Sequence, residues 1–148
     1  MPLKLPKYVV LSALLCATAS VASADGKTAD LPALDPQTNP YNIRDGKVDF
    51  ETYNGYRRYG GACARCHGPS GTGSSFAPAL MDSVEQLDYA EFVNVVVNGK
   101  NIESGSRNRV MPAFGTNPNV IQHINDIWGY LQARADGAIG PGRPERIR

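Results

Sequence analysis

Cys63-Ala64-Arg65-Cys66-His67 gathers two thiols and an imidazole within five consecutive residues. On a helical turn, side chains three positions apart lie on one side. Two thiols so placed can add to the two vinyl groups of one porphyrin, and the histidine that comes next falls under the iron as its proximal ligand. This C-x-x-C-H spacing is the attachment signature of a c-type haem. A C-x-x-C pair also admits two other readings. A redox dithiol asks for a βαβ setting, and no such pattern surrounds the motif. A zinc site asks for two more ligands, and the only other histidine is His123 and the only other cysteine Cys16. One haem c, covalent through Cys63 and Cys66, is therefore the expected cofactor.

Upstream, the first 24 residues have the composition of a secretory signal. Lys4 and Lys7 precede the mostly apolar run Tyr8 to Ala17, and Ala22-Ser23-Ala24 offers a small-x-small cleavage site before Asp25. The apolar run is too short to span a bilayer, so stable membrane insertion is not expected. A lipoprotein reading through Cys16 is weak, because Leu14 and Leu15 are bulky where that signal wants small residues. Cleavage after Ala24 leaves 124 residues with 13 basic and 14 acidic side chains. Such a balance makes no strong field for nucleic acid. It also removes Cys16, so no structural disulfide can form. Haem c is attached outside the cytoplasm, and the signal and the motif together point to the periplasm.

Residues 25–48 are polar and bear Pro32, Pro36 and Pro40, which predicts an extended arm rather than a packed element. Asp45-Gly46 within Asn42–Val48 signals a small type I′ hairpin or a simple turn. From Asp49 the spacing turns helical: Phe50, Tyr53, Tyr56 and Tyr59 recur at three-residue steps and predict an aromatic packing stripe. Gly55 and Tyr59 share one face, where a glycine would admit a second helix. Gly60-Gly61 is expected to loosen the helix before the cysteines. Gly68 to Gly73 must be a loop, and its G-x-x-G spacing lacks the lysine of a phosphate loop. Ser74 to Leu80 is a candidate wall beside His67, with a carbonyl near Pro78 expected to accept the Nδ1 proton.

Asp88-Tyr89-Ala90-Glu91 has the form of a capping box, opening a short, well-buried helix over Phe92 to Val97 that Asn98-Gly99 closes. Lys100 to Arg109 shows no periodicity and reads as a polar loop. Val110-Met111-Pro112 comes next. Haem iron with one histidine has a sixth position, and a thioether sulfur suits it and raises the potential. Met81 lies only fourteen positions past His67, too soon for the chain to round the ring. Met111 lies forty-four positions on, so His67 and Met111 are the expected axial ligands. A lone methionine is otherwise core filler. Pro118 to Ala135 predicts a last helix, with Val120, Ile124, Ile127, Trp128 and Leu131 at helical spacing. His123 falls beside that stripe as a boundary histidine. Residues 136–148 form a Gly/Pro/Arg-rich tail that is either a disordered end or a basic contact strip.

The ordered set Gly55, Tyr59, Cys63, Cys66, His67, Met111-Pro112 and Tyr130-Leu131 resembles class I cytochromes c over about residues 50–131. The resemblance implies an all-α fold, one small helical domain over residues 49–135 wrapped around the haem, with its first and last helices crossing at Gly55 and Tyr59 against Tyr130. Class II cytochromes carry the motif near the C-terminus, whereas roughly eighty residues lie beyond it here. Tyr53 to Tyr59, Gly73 to Leu80, Val110 to Gly115, Arg134 to Gly137 and Gly142-Arg143-Pro144 are similar to the cytochrome cL group. Members of that group are periplasmic electron acceptors of PQQ-dependent methanol dehydrogenases. The short chain and the Gly-Arg-Pro tail look most like the branch serving the lanthanide-dependent type; a related branch serves PQQ ethanol dehydrogenases.

The resemblance thus implies a monomeric one-electron carrier rather than an enzyme. A PQQ-dependent alcohol dehydrogenase would be its donor and a downstream cytochrome c or terminal oxidase its acceptor. Arg107, Arg109 and the tail arginines are candidate rim contacts for an acidic donor surface. Two other readings stay open: a haem subunit of a larger oxidoreductase, and a haem enzyme or gas sensor with an open sixth position.

Overall fold

Helix α1 (Phe50–Ala62) starts where Asp49 caps it, its carboxylate accepting from the Thr52 amide. The computed structural model describes residues 31–104 and 107–148, with residues 103, 104, 107 and 108 described by their backbone alone. The expected signal segment 1–24 and the first residues of the expected arm lie outside the described residues. Before α1, β1 (Ile43–Arg44) and β2 (Lys47–Val48) pair antiparallel with Ile43 opposite Val48. Asp45 and Gly46 take φ values of 52° and 72° between them. Positive φ at both central positions is what a type I′ turn demands. The Gly60-Gly61 pair does not interrupt α1, which runs unbroken to Ala62.

After α1 come α2 (Ala64–His67), a 3-10 turn at Pro69–Gly71, α3 (Met81–Gln86) and α4 (Tyr89–Asn98). The capping box of α4 is complete: Glu91 N donates to Asp88 Oδ1 at 2.8 Å and Asp88 N to Glu91 Oε2 at 3.0 Å. Of its apolar residues only Phe92 and Val96 are fully buried; Val93, Val95 and Val97 are half-buried. The expected polar loop after α4 is instead a hairpin. Strands β3 (Lys100–Ser104) and β4 (Arg107–Met111) pair antiparallel, Lys100 opposite Met111. Ile102 and Val110 are exposed, so the ribbon has no fully buried face and leaves no period-two signature in the sequence.

The predicted last helix is two helices, α5 (Pro118–Ile121) and α6 (Ile124–Ala135), separated by a turn at Gln122-His123. Neither glycine nor proline marks that break, so the apolar periodicity reads straight through it. Helix α6 crosses α1 at Gly55. A Cβ on Gly55 would stand 1.8 Å from the Asp126 carbonyl oxygen, so only glycine permits this approach. Beside the crossing, the Tyr59 and Tyr130 rings sit 5.5 Å apart and the Tyr56 and Tyr130 rings 5.6 Å apart. The core gathers here and under α4, with Tyr59, Phe92, Ile127, Trp128, Tyr130 and Leu131 buried. Phe50, expected in the aromatic stripe, is 55% exposed. The inward face of α1 is Thr52, Asn54, Gly55 and Tyr59, the three- and four-residue spacing of a helix rather than a strict three-residue step.

Both ends of the described chain are packed. The proline-rich stretch, expected to extend freely, is seated on α6: Trp128 Nε1 donates to Pro36 O at 2.7 Å. Asn42 is buried and its side chain donates to Pro32 O at 2.8 Å. The tail returns to the first hairpin. Val48 N donates to Glu145 O and Ile147 N to Val48 O, both at 2.8 Å. Ile139 and Ile147 are buried. Arg143 lies over the Tyr53 ring and Arg146 over the Phe50 ring, both arginines exposed to solvent, so the tail is not a loose end.

Candidate haem site

Cys63 closes α1, its N–H donating to Tyr59 O at 2.8 Å. The chain then makes one further turn. Cys66 N and His67 N both donate to Cys63 O, at 3.1 and 2.9 Å. That turn brings both thiols and the imidazole to one place, and both thiols are half-buried and free. Burial, and then the neighbouring Cys66, push the Cys63 thiol up to about 11. Among the described residues no three His, Cys, Asp or Glu side chains gather as a metal-ion site.

Gly68 turns the chain back with φ of 76°. Four contacts then fix the histidine and the loop beyond it. Tyr59 Oη, in the core, donates to Gly68 O at 2.6 Å. Gly73 N donates to His67 O at 2.7 Å. Ser74 Oγ donates to Cys66 O. His67 Nδ1 lies 3.0 Å from Pro78 O. A carbonyl can only accept, so the ring proton is on Nδ1 and the Nε2 lone pair is left for a metal. His67 itself is buried. The carbonyl expected near Pro78 is thus Pro78 O itself. Two half-buried thiols on one turn beside an imidazole with a free Nε2 fit a covalently held haem.

Met81 packs on the same side as this loop. Its Cε would come within 2.7 Å of a Cβ on Gly71, and Leu80 N donates to Gly71 O at 2.8 Å. Met111 stands on a separate element, at the end of β4, half-buried against the core. Its place is set by the C-terminus of α4. Gly99 has φ of 73°, and a Cβ there would lie 2.5 Å from Met111 O. Phe114 N and Gly115 N donate to Val96 O and Val97 O at 2.9 and 3.1 Å. His123 is the N-cap residue of α6 rather than part of a continuous helix, and its Nδ1 is 3.1 Å from Asn54 Nδ2 and 3.4 Å from Asp126 Oδ2. Arg109 is exposed, while the side chain of Arg107 lies outside the described residues.

Two contributors escape sequence reading. Tyr59 counts as packing by its spacing, yet its hydroxyl holds the loop behind His67. Ser70 is buried with φ of 61°, accepting at Oγ from Gly142 N at 2.8 Å, and no motif marks it.

Residues 51–131 match the family described as cytochrome C oxidase, cbb3-type, subunit III. The chain belongs to this family of c-type cytochromes. This c-type cytochrome is 48% identical over 102 residues to cytochrome c-553I of Paracoccus denitrificans, a match covering 69% of the chain and 45% of that relative. It thus spans under half of that protein's length. It is 36% identical over 100 residues to cytochrome c-555 of Methylococcus capsulatus (Bath), covering 67% of the chain and 75% of the relative. The crystal structure of c-type cytochrome XoxG from Methylobacterium extorquens AM1 superposes with a TM-score of 0.65 at 50% identity, over 73% of this chain and 67% of that one. The fold is the class I cytochrome c fold; the described residues form six α-helices and two small hairpins.

Proposed function

We propose that this cytochrome is a periplasmic one-electron carrier with His67 and Met111 as axial ligands. It accepts electrons from a PQQ-dependent methanol dehydrogenase, of the lanthanide-dependent type, and passes them to a downstream cytochrome c or terminal oxidase. Haem, when bound, supplies a one-electron couple at iron. The observation that supports the reading is the His67 ring, its Nδ1 proton held by Pro78 O so that the Nε2 lone pair is left for a metal, on the same turn as two half-buried thiols. The carbonyl raises the basicity of the imidazole. Met81 Cε lies close to Gly71 in the loop that follows His67, which supports Met111 over Met81 as the second ligand. His67 and Met111 would hold the haem from two sides, and a haem so held would supply one-electron chemistry without a site for substrate. The donor is argued from the cytochrome cL resemblance. No helix among the described residues is long and apolar enough to cross a membrane.

The test is an absorbance spectrum of ferric holoprotein, then mixing with a methanol dehydrogenase and methanol. A weak far-red charge-transfer band from iron–thioether bonding, and reduction on mixing, are expected. Rapid carbon monoxide binding by the ferrous protein would instead reveal an open sixth site. A second reading, a haem subunit held in a larger oxidoreductase, is favoured by the family's description as an oxidase subunit. Purification in fixed stoichiometry with other chains would establish it; a freely exchanging monomer would dismiss it.

A further inference from the structure

Phe76 is 74% exposed, more than any other large apolar side chain among the described residues. Isolated exposed apolar residues are common and need no explanation. Phe76 differs in how it is mounted. Its N–H donates to Ser74 Oγ at 3.0 Å, and Ser74 N donates to Ala77 O at 2.9 Å. Ser74 Oγ also donates to Cys66 O. At the other end of the same turn, Pro78 O takes the His67 Nδ1 proton. The phenyl ring therefore stands on a hydrogen-bonded turn clipped at one end to a haem-attaching cysteine and at the other to the proximal histidine. The other exposed apolar groups lack this setting. Phe50 has the Arg146 guanidinium over its ring, and Ile102 and Val110 sit at adjacent, opposite-facing positions of the β3–β4 ribbon.

From Thr52 to Met81 the chain carries Arg57, Arg58 and Arg65 and no carboxylate. Arg65, between the two cysteines, is exposed. A rigid aromatic that loses little freedom on contact is the kind of residue that dominates a small interface. Redox encounters are small and brief, so one such ring has large weight. Electron transfer also falls steeply with distance, so a contact point tied to the haem-attachment turn is where docking is useful.

We propose that Phe76 is the docking knob for the electron-donating protein, inserting into an apolar recess whose acidic rim meets Arg65. The inference rests on the carrier reading above. The partner it fits is a dehydrogenase with a concave apolar spot bordered by Asp or Glu near its own redox group. The same contact would bear on orientation, because the turn that carries Phe76 is hydrogen-bonded to Cys66 and His67.

The experiment compares holoprotein, Phe76→Ala and Phe76→Leu as acceptors for purified methanol dehydrogenase with methanol. Ascorbate reduction and the ferric spectrum are recorded in parallel. We expect Phe76→Ala to raise KM for the cytochrome by about tenfold, a hot-spot-sized effect, with Phe76→Leu recovering part of it. Ascorbate rates and spectra should stay those of the parent, since a small reductant needs no recess. An unchanged KM overturns the proposal. So does a slowed ascorbate reaction or a shifted ferric spectrum, which would place the ring in haem packing instead. If the parent protein is not reduced by the dehydrogenase at all, the donor reading fails and this inference with it; normal parent kinetics with an indifferent Phe76→Ala sinks the inference alone.

Discussion

Asp49 holds two elements with one buried carboxylate. Its Oδ1 accepts from Thr52 N at 2.6 Å, and its Oδ2 accepts from Asn42 N and from Thr52 Oγ1. The first of these caps α1; the second fixes the base of the β1–β2 hairpin. Asp49→Ala removes the cap and strands buried donors, so the holoprotein should lose about 2–3 kcal/mol in denaturant unfolding, with Asp49→Asn losing less. At Gly99 the consequence falls on Met111, the proposed second ligand. Gly99→Ala must either leave its positive φ or push Met111 O aside. The expected outcome is a weakened or absent far-red band while Cys63, Cys66 and His67 keep the haem attached. An unaltered band would mean that the 111–113 segment yields without moving the sulfur. Tyr41 sets an alkaline limit. Burial, and then its hydrogen bond to Asp136, push the hydroxyl up to about 12. A free tyrosine ionises near about 10, so the folded state holds the proton more tightly. That stability is whole below about pH 10 and is lost from there up through about 12. Tyr41→Phe should therefore flatten the fall in thermal unfolding temperature across that window. The flattening should be partial, because burial raises Tyr59, Tyr89 and Tyr130 in the same direction.

Among elements, the α1–α6 crossing carries the most. Gly55→Ala puts a methyl group into the Asp126 carbonyl, and backbone cannot step aside as a flexible side chain can. The crossing must open, pulling apart the Tyr56, Tyr59 and Tyr130 rings. A loss of about 3 kcal/mol or more is expected, read from unfolding of the holoprotein; a loss under about 1 kcal/mol would mean the helices slide instead. Gly55 alone signalled a close helix approach, because such an approach needs a missing side chain, while the last helix and Tyr130 as its partners came from the resemblance to class I cytochromes c. The C-x-x-C-H turn, the Asp-Gly hairpin and the capping box of α4 were legible for the same reason: each requires particular residues at fixed offsets. The β3–β4 ribbon was not. Its strands are held by backbone hydrogen bonds, which any residue supplies. The break at Gln122-His123 was hidden likewise, as was the exposure of Phe50, which depends on where the tail lies.

At the scale of the molecule, the C-terminal tail closes on the first hairpin. Val48 is fully buried between α1 and the returning tail, which bonds it through Glu145 O and Ile147 N. Lys47 and Glu145 add an exposed ion pair at 3.4 Å, worth little in water. Ile139 and Ile147 supply most of the burial, and Arg134 Nη1 holds Ile139 O at 2.7 Å. Nothing in residues 136–148 has helical or alternating spacing, so this docking depends on two isolated isoleucines that a sequence pattern cannot pick out. Deleting residues 138–148 uncovers Val48 and leaves Ser70 without its Gly142 partner. Fully burying an isoleucine contributes about 1.5–3 kcal/mol, so the deletion should cost about 3–5 kcal/mol and lower the unfolding temperature of the holoprotein. Arg146→Ala, which removes only a cation from the exposed Phe50 ring, should cost under about 1 kcal/mol. The contrast separates two roles for the tail. If Arg146→Ala leaves stability intact but slows reduction by the dehydrogenase in a salt-dependent way, the tail also steers the partner. If only the deletion matters, the tail is a clasp, and its arginines are there to cover the aromatic face of α1.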